Sequence, residues 1–513
     1  MFVPELMIKQ LYTIGSLQRK PDGFEFKLKN RLKESCLCKV ISISINNQEI
    51  SKDNISLCTD EAVSITPNQL EQSEGLNISL GAEVIFFISD CSVLTDDIQH
   101  LDMRLELKPL GEIRLKVKDE ITTYKKQQQN LPRNPNDDLN PTAIGQRQDY
   151  VREFCHQSPD TVFNYTLNTQ KIKGNIENFV GAAQVPLGIA GPITVNGEYA
   201  KGQFLIPMAT TEGTLIASYN RGMKLLNRNG GVKATVVEDL MQRAPVFVFN
   251  DAREAREFVT WSKQHFEQIK HEADETDPHV SLQYIDHVLS NKFAFLRFNF
   301  STGDAAGQNM VGRATYVACS WVLAQYKGVA NFFLESNFAT DKKSSQINLM
   351  RTRGKRVTAE ATIKRDDLRG LMRVEPEQID FHARVSAVGS FLAGTSNNGL
   401  HSANGITALF IATGQDVANV SESSAAILYS EVDKNGDLYL SITIPALIVA
   451  TCGGGTGLST QRECLEMLDC FGANKAKKFA EIVASVVLAG EISLACAISS
   501  LDWVTSHEEY GRN

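Results

Sequence analysis

Residues 294–318 read AFLRFNFSTGDAAGQNMVGRATYVA, and the change of rhythm inside them sets the fold class. The opening AFLRFNF is a short strand. Gly303-Asp304-Ala305-Ala306-Gly307 is a glycine-bearing turn, after which Met310, Ala314, Val317 and Trp321 recur at the spacing of one helix face. Phe479, Ile482, Val486 and Ala489 repeat the helical pattern, and LYLSITI (438–444) is another short strand, so this part of the chain is α+β. Small residues in the turn let a ligand approach the backbone, and free N–H groups at a helix start attract phosphate. No G-x-G-x-x-G follows a strand, so a Rossmann dinucleotide site is not indicated.

Toward the amino terminus the period changes to two. Phe24, Phe26, Leu28, then Ile41, Ile43, Ile45, then Met103, Leu105, Leu107 and Ile113, Leu115, Val117 alternate, with Pro109-Leu110-Gly111 a turn between the last two runs. This predicts a small antiparallel β domain with one wet face. KKQQQNLPRNPNDDLNP (125–141) is polar and proline-bearing, as a linker is.

A chain of 513 residues exceeds one ordinary core, and its net charge of −8 favours neither nucleic acid nor an anionic membrane as partner. Ten scattered cysteines include no Cys-x-x-Cys pair, which points to reduced cytoplasmic thiols and no metal site. The start, MFVPELMIKQ, lacks the pattern of a signal peptide. The most apolar stretch, 482–498, is interrupted by Gly490-Glu491 and serines, so no membrane span is expected.

Chemistry-bearing residues all lie beyond the linker. In MATTEGTLIASYNRG (208–222), Glu212 sits where a helix begins, a place the helix dipole favours for any acid; partial burial would raise its pKa and make it a proton donor. TCGGGTGLST (451–460) is a backbone-approach loop containing Gly454 and Gly455. In NNGLHSANGITALFIATGQDVANV (397–420), His401 and Asn404 are spaced to share a helix face, and Asp416 at the helix end needs a compensating cation. FATDKKSSQIN (338–348) sets Asp341 before Lys342 and Lys343, a pair that alone would be a solvated loop. His507, in DWVTSHEEYGRN, belongs to a carboxy-terminal tail.

Taken in order, ENFVGAAQVPLGIAGPI (177–193), MATTEG, GDAAGQNM, TDKK, HSAN, GQDVA, GGGTGL and Ser506-His507 resemble the hydroxymethylglutaryl-coenzyme A reductases over about residues 150–513. The resemblance implies a large central α/β substrate domain with an inserted ferredoxin-like cofactor domain. The divisions it suggests are 1–120 (β-rich), 121–145 (linker), 146–176 (helical), 177–243 with 344–513 (substrate domain), 244–334 (cofactor domain) and 335–343 (catalytic loop). It implies catalytic roles for Glu212, Lys342, Asp416 and His507. Substrate contacts fall on Ser218, Asn220, Arg221, Arg243, Asp341, Lys343, His401 and Asn404. Cofactor contacts fall on Asp304, Asn309, Gly454, Gly455 and Asp277.

NADPH is the implied reductant, with NADH the alternative because Glu275-Thr276-Asp277-Pro278-His279 contains no arginine to meet a 2′-phosphate. The implied assembly is a homodimer with shared sites, or a homotetramer, in the cytoplasm, with hydroxymethylglutaryl-coenzyme A and coenzyme A as ligands and neither nucleic acid nor membrane as partner. Glu335 stands where relatives have a serine, and Val385 where animal relatives have an acyl-binding lysine, leaving Arg384 as the substitute. A non-catalytic sensor of coenzyme A esters and a reductase of another acyl thioester are the rival readings.

Overall fold

The structure is a computed structural model that describes residues 8–31, 34–59, 64–95, 98–121, 131–134 and 136–500. The period-two region forms two five-stranded antiparallel sheets whose inner faces share one core, including Phe24, Phe26, Phe86, Met103 and Leu105. Phe26 stacks on Phe86 with ring centroids 5.3 Å apart. The predicted alternation holds except at Ile41: a bulge between Val40 and Ser42 in the strand Ser35–Ile45 turns Val40 inward and leaves Ile41 half-exposed.

The helix Pro141–Cys155 begins within the expected linker, with Asn140 as its cap and proline at its first turn. Arg147 on this helix is fully buried, donating to the Phe179 and Pro132 carbonyls and to Asp138 at 2.7 Å. Pro132 and Asp138 of the expected linker are therefore tied to this helix.

The region that follows is organised on one ten-stranded sheet. The strand Val232–Arg243 is its pivot. Lys233–Leu240 pair with the strand Gly354–Ile363, whereas Met241–Arg243 pair with Phe293–Ser301. On the second side the strands Val246–Val248, Ser281–Ser290, Phe293–Ser301 and Asn331–Phe333 lie in the order fourth, first, third, second, all neighbours antiparallel, with helices Ala252–Gln264, Phe266–Asp274 and Gln308–Gln325 between them. This is the ferredoxin-like arrangement. Its own core is aromatic, with Phe247, Phe258, Phe298 and Phe300 buried.

On the other side, the helix Ala476–Ser499 runs unbroken through the expected interruption at Gly490-Glu491. Apolar on all sides, it is long enough to cross a membrane, yet most of it is enclosed by the sheet and the helix Leu215–Arg228. Gly490 is needed there because an added Cβ would lie 2.4 Å from the Tyr219 ring. Glu481 and Glu491, buried on this helix, accept backbone N–H groups of the turns 198–200 and 400–402.

Candidate active site

Lys342 sits on the loop between the ferredoxin-like unit and the rest of the sheet, at φ 56. A left-handed residue other than glycine costs roughly 1–2 kcal/mol, so its surroundings must hold it. Its Nζ lies 3.1 Å from Asp416 Oδ2. The sequence requires a cation for Asp416 at the end of the helix Ser402–Thr413, and Lys342 is that cation, although both side chains are 44% exposed in the single chain. The hydrogen bond to Asp416 holds the Lys342 ammonium above the usual lysine range, against a smaller opposing effect of burial. Asp341 pairs with buried Arg353 at 2.6 Å, and Lys343 donates to the Asp341 carbonyl at 3.0 Å.

Glu212 lies in the turn before the helix Leu215–Arg228 and is exposed, so the partial burial contemplated from sequence is not found in the single chain. Asn404 Nδ2 donates to both of its carboxylate oxygens, at 2.9 and 2.7 Å. Among the described residues no hydrogen bond or ion pair joins Glu212 to Lys342. His401 precedes the helix that carries Asn404 and does not share its face. Its buried ring meets Ser218 Oγ at 3.3 Å, and its carbonyl accepts from Tyr219. Ser218 and Arg221 converge on Ser493, at 3.1 Å each, while Asn220 accepts the Gly191 N–H at 2.6 Å.

A cleft of about 490 Å³ opens beside Asp416, lined by Asn309, Gln308, Asn175 and the Gly453–Gly455 backbone. Gly414, at φ 70, lets the Asp416 turn lie directly on this loop: a Cβ there would sit 2.2 Å from the Gly455 carbonyl oxygen. At Gly453 and Gly454 an added Cβ would meet open space, so this backbone faces the cleft. The first turn of the helix Gln308–Gln325 borders the same space.

Asp304 is engaged within the fold. Its carboxylate accepts the Asn474, Lys475 and Ala476 N–H groups at 2.7–3.0 Å, capping the buried helix Ala476–Ser499. Asp277 is engaged by His279 through the backbone N–H at 2.8 Å, which holds its carboxyl below the usual range, with Arg313 adding a weaker favourable field. Arg243 is paired with Glu335 at 2.8 Å and donates to the Gln308 carbonyl. Arg384 pairs with Asp380 at 3.0 Å on an exposed helix face. Ser506 and His507 lie outside the described residues.

Three buried charged residues around the site were not singled out from sequence: Arg353, Glu422 and Glu491. Arg353 is one of four cations in MRTRGKR, Glu422 is masked by serines in VSESS, and Glu491 reads as a helix interruption. A carboxylate inside an otherwise apolar helical repeat is the signal that could have found Glu491.

The fold defines a class first. It is that of the class II 3-hydroxy-3-methylglutaryl-CoA reductase of Streptococcus pneumoniae, superposing at TM-score 0.53 over 69% of this chain and 86% of that one, with 19% sequence identity. The description "Hydroxymethylglutaryl-coenzyme A reductase" matches residues 143–512, and "Hydroxymethylglutaryl-CoA reductase, N-terminal domain" matches residues 7–122. The 3-hydroxy-3-methylglutaryl-coenzyme A reductase of Methanocaldococcus jannaschii is 41% identical over 70% of this chain and 89% of its own length, and that of Aeropyrum pernix 42% over 71% and 88%. This chain belongs to the hydroxymethylglutaryl-coenzyme A reductase family.

Proposed function

We propose that this chain reduces hydroxymethylglutaryl-coenzyme A to mevalonate and free coenzyme A, using two molecules of NADPH per turnover. The observation that carries the reading is the Lys342–Asp416 ion pair at the mouth of a glycine-walled cleft. The cleft suits a phosphate-bearing dinucleotide, since open backbone at Gly453 and Gly454 faces a helix start. The Streptococcus pneumoniae relative is described bound to NADPH. When bound, NADPH supplies the hydrides.

The residues divide the remaining work. Lys342 meets the oxyanion that forms as the thioester carbonyl is reduced, and Asp416 keeps the ammonium charged and aimed. His507 protonates the departing coenzyme A thiolate. Glu212, held by Asn404, delivers the proton for the second carbonyl reduction. Ser218 and Arg221, joined at Ser493, with His401 against Ser218, present a polar patch for coenzyme A. The departures at Glu335 and Val385 are the only support for a reductase of another acyl thioester, and a sensor needs no charged lysine–carboxylate pair at the cleft.

A homodimer with shared sites is supported by the helix Pro376–Ala393. Phe381, Val385, Val388 and Leu392 form one helix face and are 64, 53, 60 and 78% exposed. An apolar stripe of this size supports self-association, and covering the exposed Glu212 and Lys342 by a second copy would supply the desolvation that the single chain lacks. All ten cysteines are free thiols, in keeping with a cytoplasmic setting.

The test is stoichiometry. Two NADPH should be oxidised per coenzyme A released, and Lys342→Ala should lower kcat by on the order of 10³. One NADPH per coenzyme A, with aldehyde accumulating, would refute the four-electron reaction.

A further inference from the structure

We propose that Glu422, acting with Arg353, is the positioning residue that sets the Lys342 ammonium against Asp416. The inference rests on the reading of Lys342 given above and extends it to residues without an assigned role.

Glu422 is fully buried on the short helix Val420–Ser423, and one of its oxygens collects three donors. Oε1 accepts the Lys342 backbone N–H at 3.1 Å, Asn419 Nδ2 at 3.0 Å and Arg353 Nε at 3.4 Å. Arg353, equally buried, turns its other nitrogens to Asp341 Oδ1 at 2.6 Å and to the Gln242 carbonyl at 3.3 Å. The loop is thus gripped on both sides of one peptide bond. Arg353 holds the side chain of Asp341, and Glu422 holds the amide of Lys342, which fixes the left-handed conformation of Lys342 and the direction its side chain leaves the loop.

The carboxylate also reaches the cleft. Asn419 donates to Glu422 and accepts from Gln308 Nε2 at 3.0 Å, so the lysine loop and the first turn of the helix Gln308–Gln325 are tied to one buried group. Glu422 Oε2 has no partner among the described residues. For stability alone this is a poor use of a buried charge, because a buried ion pair is often replaceable by apolar side chains at no loss. Its geometry is what the active site needs. Burial pushes the Glu422 carboxyl up from the usual range, opposed chiefly by Arg353.

The test uses that replaceability. Glu422→Met together with Arg353→Met removes both buried charges at roughly conserved volume; because it also frees the part-exposed Asp341 from its 2.6 Å ion pair, the variant should fold with a Tm somewhat below that of the parent. Its kcat should fall about a hundredfold, by far more than KM for the thioester rises on release of Asp341, because the substrate still binds but the ammonium is misplaced. Glu422→Gln keeps an acceptor for the Lys342 and Asn419 N–H groups, loses only the charge facing Arg353, and should recover kcat to within about tenfold of the parent.

A folded double variant with parental kcat would overturn the proposal, as would a loss confined to KM. Glu422→Gln falling as far as Lys342→Ala would overturn it differently, by showing that Glu422 itself supplies a proton. Parental turnover in Lys342→Ala would remove the reading of the lysine and this inference with it, an outcome that the Glu422 variants cannot mimic.

Discussion

At the scale of single residues, the site is a set of carboxylates given different tasks by their surroundings. Glu491 is the most perturbed. Burial pushes its carboxyl up from the ordinary 4.5 to about 7, although three backbone amides pull the other way. A raised folded value means that the folded protein keeps a proton which the unfolded chain has released across this window. The associated stability is fully present below pH 4.5 and is lost as pH rises through about 7. Urea midpoints should fall between about pH 5 and pH 8, by up to about 3 kcal/mol of stability, and Glu491→Gln should flatten that slope. The cofactor is a second residue-scale question. With Asp277 committed to His279 and Arg313 nearby, the parent should prefer NADPH with modest discrimination. Asp277→Arg should raise the NADPH to NADH ratio of kcat/KM. Parental discrimination near a thousandfold, unmoved by the substitution, would take Asp277 away from the phosphate.

At the scale of elements, the sequence was legible where one pattern had one cause. The strand Phe293–Ser301 and the helix Gln308–Gln325 lie where the sequence puts them, but the helix buries Val311, Ala314, Thr315, Ala318, Cys319 and Val322, so of the expected face only Ala314 is buried while Met310, Val317 and Trp321 are half-buried. Asp416 was legible as a carboxylate in want of a cation, whereas its grouping with Asp341 and Lys342 came from the family resemblance. What was not legible depends on third parties. Gly490-Glu491 reads as a polar interruption of an apolar run, but Tyr219 fills the space above Gly490 and three amides of residues 400–402 satisfy Glu491. Asp304 reads as a ligand contact, and the cap it provides is visible only once residues 474–476 are folded beside it. The helix Pro376–Ala393 carries the corresponding prediction. Val385→Glu with Val388→Glu should leave the fold intact, since both side chains are more than half exposed, yet sedimentation should show smaller particles and turnover should fall with them. Unchanged particle size would put the subunit interface elsewhere.

At the scale of the whole molecule, the amino-terminal sandwich closes its own core from residues 8–121, and Tyr316 OH meets the Arg31 carbonyl at 3.3 Å where it touches the ferredoxin-like unit. Removing residues 1–120 should therefore yield a folded protein with kcat near that of the full chain. Aggregation of the truncated chain, or loss of turnover, would show that the sandwich is part of the working assembly.

The strand Val232–Arg243 has a mechanical consequence. Because Lys233–Leu240 pair with the strand Gly354–Ile363 and Met241–Arg243 pair with Phe293–Ser301, one continuous strand of the ten-stranded sheet carries the ferredoxin-like unit. Two NADPH must arrive and two oxidised products must leave while the half-reduced intermediate is retained, so the cleft has to open without a loose joint. A twist distributed along this strand, softened at the bulge between Val236 and Glu238, meets both requirements. If the strand twists as a unit, its amides on either side of the bulge should exchange hydrogen slowly with and without NADPH, while the Gly453–Gly455 loop quickens when the cleft is empty.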